Sequence, residues 1–150
     1  MAEINFNKYA RIFIITLRLG LGGLFIYGGV MKFIPKPSLP PPESNVELPA
    51  HVIKIKAYIG GLKQTDYFWY MLGAVELTGG LLLVSQYLSL LGATLLMPVT
   101  LNIFLFHFFL KPHETGEVLL TLFYLMGNAL IIFWYYPKLK SIFLNFKSIY

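Results

Sequence analysis

Arg18, Glu76 and Asn128 are the residues whose chemistry has to be explained first, because each interrupts a long apolar run. A carboxylate can take up or release a proton, a guanidinium can hold an anion or polarise a carbonyl, and an amide can donate and accept at once. Counting along each run from the end nearer the chain termini, at ~1.5 Å per helical residue, sets Arg18 roughly 9 Å in and Glu76 and Asn128 roughly 12 Å in. The spacing predicts that three helices bring their most polar side chains to one level. A looser level follows at roughly 18 to 21 Å, from Thr100, Asn102 and Tyr124, with Tyr27 slightly further.

A lone arginine or glutamate in hydrocarbon costs at least ~2.5 to 3.5 kcal/mol, so the expected arrangement pairs Arg18 with Glu76 and lets Asn128 take up the spare hydrogen bonds. Such a pair either locks helix register or binds and polarises something. Buried ion pairs are poor net stabilisers, which tilts the reading toward a ligand or proton site.

The helical faces carrying these residues are small or polar. Arg11, Arg18, Phe25 and Lys32 recur every seven residues, with Gly22 and Gly29 beside them. Gly73, Glu76 and Gly80 share a second face, and Thr121, Tyr124, Asn128 and Tyr135 a third. Small residues let neighbouring helices approach closely, so these faces should point inward.

Other chemistry-bearing residues read more plainly. His107 in "FLFHFF" is an interfacial histidine beside an aromatic belt, because no second histidine faces it from another run. His107, His113 and Glu114 match no metal-site spacing, and Pro112 interrupts any shared helix face. Pro98 should kink its helix and free the Thr94 carbonyl, with Asn102 one turn on able to satisfy the local backbone. Trp69, Trp134, Tyr135 and Tyr136 read as interface anchors. There is no nucleophile triad, phosphate-binding glycine loop or zinc motif, and the absence of cysteine removes disulfides and thiol redox chemistry from this chain.

The elements that must position these residues follow from composition. With 57% apolar residues, 13% charged residues and a mean hydropathy of +0.66, the chain reads as a membrane protein. Four apolar stretches are long enough to cross ~30 Å of hydrocarbon: Ile12 to Met31, Tyr67 to Val84, Leu88 to Leu110 and Val118 to Tyr136. They lack the alternation of barrel strands, which leaves helices. The first stretch is too long for a signal sequence, contains Arg18 and lacks a small-residue cleavage pattern, so it is read as retained.

Short connections around "SQY" and "KPHETGE" imply two antiparallel hairpins. The expected fold is therefore all-α: one domain, residues 1–150, an up-down-up-down four-helix transmembrane bundle with short interfacial amphipathic helices. Residues 35–49 hold six of the nine prolines and read as an extended spacer. "HVIKIKAYIGGLKQ" is too short to span and reads as an interfacial or re-entrant helix, and residues 138–150 as an amphipathic tail suited to anionic lipid.

Basic residues do not orient the bundle. Five (Lys8, Arg11, Lys138, Lys140, Lys147) lie on the terminal side and six (Lys32, Lys36, Lys54, Lys56, Lys63, Lys111) on the other. Glu43, Glu47, Asp66, Glu114 and Glu117 accompany the six, which leaves the terminal side more positive and places both termini in the cytoplasm. The net charge of +5 is met by lipid headgroups, since no nucleic-acid motif or basic stripe is present.

The segments "LRLGLGGLFIYGGVMKF", "GAVELTGGLLLV" and "PVTLNIFLFHFFL" resemble, in that order, the first three helices of DoxX-type membrane proteins. The resemblance covers most of the bundle and leaves out the proline-rich loop and both tails. It implies a four-helix inner-membrane protein. Relatives include a membrane subunit of a thiosulfate:quinone oxidoreductase, a partner in membrane-bound oxidative-stress complexes and, more distantly, a factor for disulfide formation. Arg18, Lys32, Glu76 and Asn102 occupy the matching positions, without their roles being carried over.

Three readings stay open at this point. The leading one is a redox-associated membrane subunit or accessory protein holding a quinone-like ligand, with a redox protein as partner. Arg18, Lys32, Glu76, Asn102, Tyr124 and Asn128 are then the ligand-site candidates, with Glu76 and Arg18 nearest any chemistry and no metal. The second is a small transporter, which four helices would favour only as a homo-oligomer. The third is a structural or assembly anchor that does no chemistry.

Overall fold

The computed structural model describes residues 2–35 and 48–136, and these form five helices and no strand. They are α1 (Ala2–Met31), α2 (Ala50–Gln64), α3 (Phe68–Val84), α4 (Ser89–Leu110) and α5 (Thr115–Trp134). Most of the proline-rich spacer and the amphipathic tail lie outside the described residues. Among the described residues, three helices are long and apolar enough to cross a membrane: Lys8–Met31, Ser89–Leu110 and Thr115–Trp134. The number rises to four if α2 and α3, bent by 88° at their junction, count as one broken span. By itself α3 has 17 residues, about 25 Å of helix, and falls short of the hydrocarbon thickness.

The α2–α3 corner has a local cause. Asp66 adopts φ 57°, a left-handed conformation that aspartate tolerates better than bulky residues. The Thr65 hydroxyl donates to the Leu62 carbonyl at 2.8 Å and accepts from the Phe68 N–H at 3.3 Å, joining the end of one helix to the start of the next.

α1 packs on α3, α3 on α4, α4 on α5, and α5 returns to α1. Glycine makes the first seam. A Cβ on Gly29 would stand 2.7 Å from the Leu77 nitrogen and 2.8 Å from the Gly73 carbonyl, and one on Gly80 would stand 2.8 Å from the Gly22 carbonyl. Backbone therefore meets backbone, and dispersion contacts replace a hydrophobic drive that lipid cannot supply. Between these contacts Leu17, Leu21, Phe25, Leu83, Ala93, Leu96, Val99 and Ile131 form the core. Leu19, Leu24, Leu91, Leu101, Phe123, Met126 and Phe133 point outward, a distribution that suits lipid rather than water as the surrounding solvent.

The seam also fixes relative height. Gly22 lies against Gly80 and Val84, and Gly29 against Gly73 and Leu77, so α1 and α3 run antiparallel with Val84 level with Gly22. The sequence reading set Val84 level with Ile12, an error of about ten residues or ~15 Å. It arose because α1 extends to Ala2 and α3 is short, so the two runs do not begin in one plane.

Candidate functional site

Glu76 is buried, 3% exposed, on the inner face of α3. Its partner is Lys32, just past the end of α1, whose Nζ lies 2.5 Å from Glu76 Oε2. This corrects the expected Arg18–Glu76 pair. Glu76 faces Gly28, and Arg18 is ten residues earlier on the same helix, about 15 Å along the axis. A lysine stem reaches inward from the helix end, so the ammonium can meet a carboxylate about one turn deeper.

Lys32 Nζ also donates to the Gly28 carbonyl at 3.5 Å and lies 5.4 Å from the centre of the Trp69 ring. Lys63 of α2 approaches the same ring at 4.9 Å. A cleft of about 220 Å³ opens here, lined by Lys32, Phe33, Lys63, Asp66, Trp69 and Tyr70 among others. Glu76 Oε1 accepts no hydrogen bond from the described residues. The arrangement places a buried carboxylate–ammonium pair beneath a mouth of aromatic rings and mixed charge.

The remaining candidates are dispersed. Asn128, fully buried, donates to the Ala93 carbonyl at 3.0 Å and to Thr100 Oγ1 at 3.4 Å, which ties α5 to α4 on either side of Pro98. It does not serve the Glu76 pair as expected, and its own Oδ1 is left without a partner. Asn102 faces α2: its amide and the Tyr58 hydroxyl exchange hydrogen bonds at 3.0 and 3.1 Å, and the Tyr58 ring packs tilted against Phe106. Asn102 therefore docks α2 on α4 and makes no bond to the backbone freed by Pro98. Tyr124 borders a shallow apolar groove of about 260 Å³ between α1 and α5.

Arg18, 6% exposed, lies in a different place from all of these, at a cavity of about 700 Å³ with Arg11, Gln86, Trp134 and Tyr135. His107 stands 3.3 Å from Glu117 and its Nδ1 is 2.8 Å from the Ile103 carbonyl. Lys111 bridges Glu114 and Glu117 at 2.9 Å each. The hydrogen bonds to Glu114 and Glu117 hold the Lys111 ammonium above its ordinary value of 10.5. Among the described residues no three histidine, aspartate or glutamate side chains gather as a metal site.

Sequence reasoning missed Lys63 and Tyr58. Both lie on α2, which has no buried residue, and their partners lie on other helices. Residues 13–108, more than half of the chain, match the family model described as DoxX. No curated protein and no solved structure matches the chain.

Proposed function

The chain belongs to the DoxX family, and from that premise we propose a redox-associated subunit or accessory protein of the inner membrane that holds a quinone-like headgroup over the Lys32–Glu76 pair. α2 and α3 act together as one broken span, which completes a four-span bundle with both termini in the cytoplasm. The observation that carries the reading is that Lys32, paired with the buried Glu76 carboxylate, lines an aromatic-walled cleft.

Each part of that site has a use. An ammonium carries three donors. One of them is directed at Glu76 and a weaker one at the Gly28 carbonyl, so Lys32 keeps donor capacity for a ligand carbonyl. Trp69 and Tyr70 offer faces for a flat ring. Glu76 does not line the cleft and would act on a bound headgroup through the Lys32 ammonium it holds. Electrons for reducing a quinone would come from a redox partner protein, since this chain has no thiol of its own.

The rival readings rest on the same residues. A transport path lined jointly by Arg18, Glu76, Asn102 and Asn128 is disfavoured by their separation into different contacts. A purely structural lock predicts that Glu76 matters only for folding. The test is quantitative quinone extraction from the protein isolated gently from its native membrane. About one quinone per chain in the wild type is expected. A drop of about tenfold or more is expected in Glu76→Gln, the loss of one charge-assisted contact, while the folded chain still accumulates. No quinone in the wild type, or equal quinone in both proteins, would overturn the assignment.

A further inference from the structure

We propose that the cavity at Arg18 binds a phosphate anion, either the headgroup of an anionic lipid or free phosphate. This site is separate from the Lys32–Glu76 cleft and does not depend on the quinone reading. Arg18 is 94% buried by the complement of its 6% exposure, yet it has no hydrogen-bond or ion-pair partner among the described residues, and its Nε is wholly occluded and unsatisfied. A guanidinium cannot shed its proton to escape that cost as a lysine can, and has no counterpart to the proton uptake that neutralises a carboxylate. The charge therefore has to be met from outside the described residues.

The lining says what could meet it. Among the described residues the cavity of about 700 Å³ is bounded by Arg11, Ile14, Ile15, Arg18, Gln86, Trp134 and Tyr135, with two cations, an amide and no acidic side chain. Arg11 and Arg18 are seven residues apart on one helix face, about two turns, and both border the cavity. A planar guanidinium matches two phosphate oxygens at once, and a second cation and an amide add donors to the others. Trp134 and Tyr135, at the end of α5, are the residue types that mark the headgroup level. Arg18 itself lies four residues beyond Gly22, which packs on the last residue of α3. The cavity thus lies at the end of the bundle where α3 and α5 both finish.

Two probes distinguish the sources. The full-length protein is delipidated in mild detergent, and native mass spectrometry counts phosphatidylglycerol retained from nanodiscs of that lipid mixed with phosphatidylcholine. In parallel, inorganic phosphate is titrated against thermal unfolding in detergent. One retained phosphatidylglycerol per chain supports a lipid headgroup, and saturable stabilisation by phosphate without retained lipid supports a free anion. In either case Arg18→Gln should weaken binding about tenfold or more, and Arg18→Lys should restore part of it. Arg11→Gln, at an exposed position, should weaken binding in a chain that folds normally even if Arg18→Gln does not accumulate. Neither lipid nor phosphate bound by the wild type, or binding unchanged in Arg11→Gln and Arg18→Gln alike, would overturn the proposal.

Discussion

At Lys32, just past the end of α1, the cation meets a carboxylate at 2.5 Å, whereas at Arg18, fourteen residues earlier on the same stripe, the cation faces a cavity without an acidic side chain among the described residues. Both positions belong to one seven-residue repeat, and both side chains turn inward. What separates them is the helix opposite. α3 offers Glu76 level with Gly28 and ends at Val84, level with Gly22, so it has no residue left to place beside Arg18. A repeat on one helix therefore sets which residues face inward, and the length and register of its neighbour set what they meet there.

That contrast is open to direct attack. The largest expected effect is at the compensated end: Lys32→Met strands the Glu76 carboxylate and should cost about 3 to 5 kcal/mol, read as lost folded protein in fluorescence-detected size exclusion. Arg18→Met should cost far less when no anion is supplied, since it removes an uncompensated charge. Equal losses at the two positions would erase the distinction between the ends. Next comes the seam that sets the register. Gly29→Ala puts a methyl group 2.7 Å from the Leu77 nitrogen, and the resulting overpacking should cost about 1 to 3 kcal/mol. Gly20→Ala, with nothing within 4 Å, is the matched control and should leave the melting temperature unchanged or slightly higher. The smallest effect concerns the cover over the Lys32 end. Tyr58→Phe removes the hydroxyl that joins α2 to Asn102 and should cost about 0.5 to 1.5 kcal/mol. It should show as faster hydrogen exchange in α2 with α4 unaffected.

How far the sequence could be read follows the same division. The helices were legible because their apolar runs are long and their breaks carry Pro, Gly and charge, and α4 agrees with its run to within one residue. Glu76, Arg18 and Asn128 were correctly singled out as buried, because a polar side chain on a small-residue face has nowhere else to go. Their partners were not legible. Pairing depends on where two antiparallel helices start relative to one another, and that offset is written in glycine contacts such as Gly22 with Gly80 and Val84 rather than in either run alone. Lys32 was marked as part of the stripe and as a ligand-site candidate, yet not as the partner of Glu76, because a lysine stem at a helix end can run in either direction. Tyr58 escaped notice for a similar reason: α2 has no buried residue, and its docking hydrogen bond depends on an 88° corner that no periodicity announces.

The central claim is that Glu76 answers to Lys32 and not to Arg18, and charge exchange tests it most directly. Lys32→Glu and Glu76→Lys should each reduce folded protein in the membrane, and the combined exchange should restore most of it. The corresponding exchange of Arg18→Glu with Glu76→Arg should restore nothing. Rescue by the second exchange and not the first would contradict the register described here and return Glu76 to Arg18.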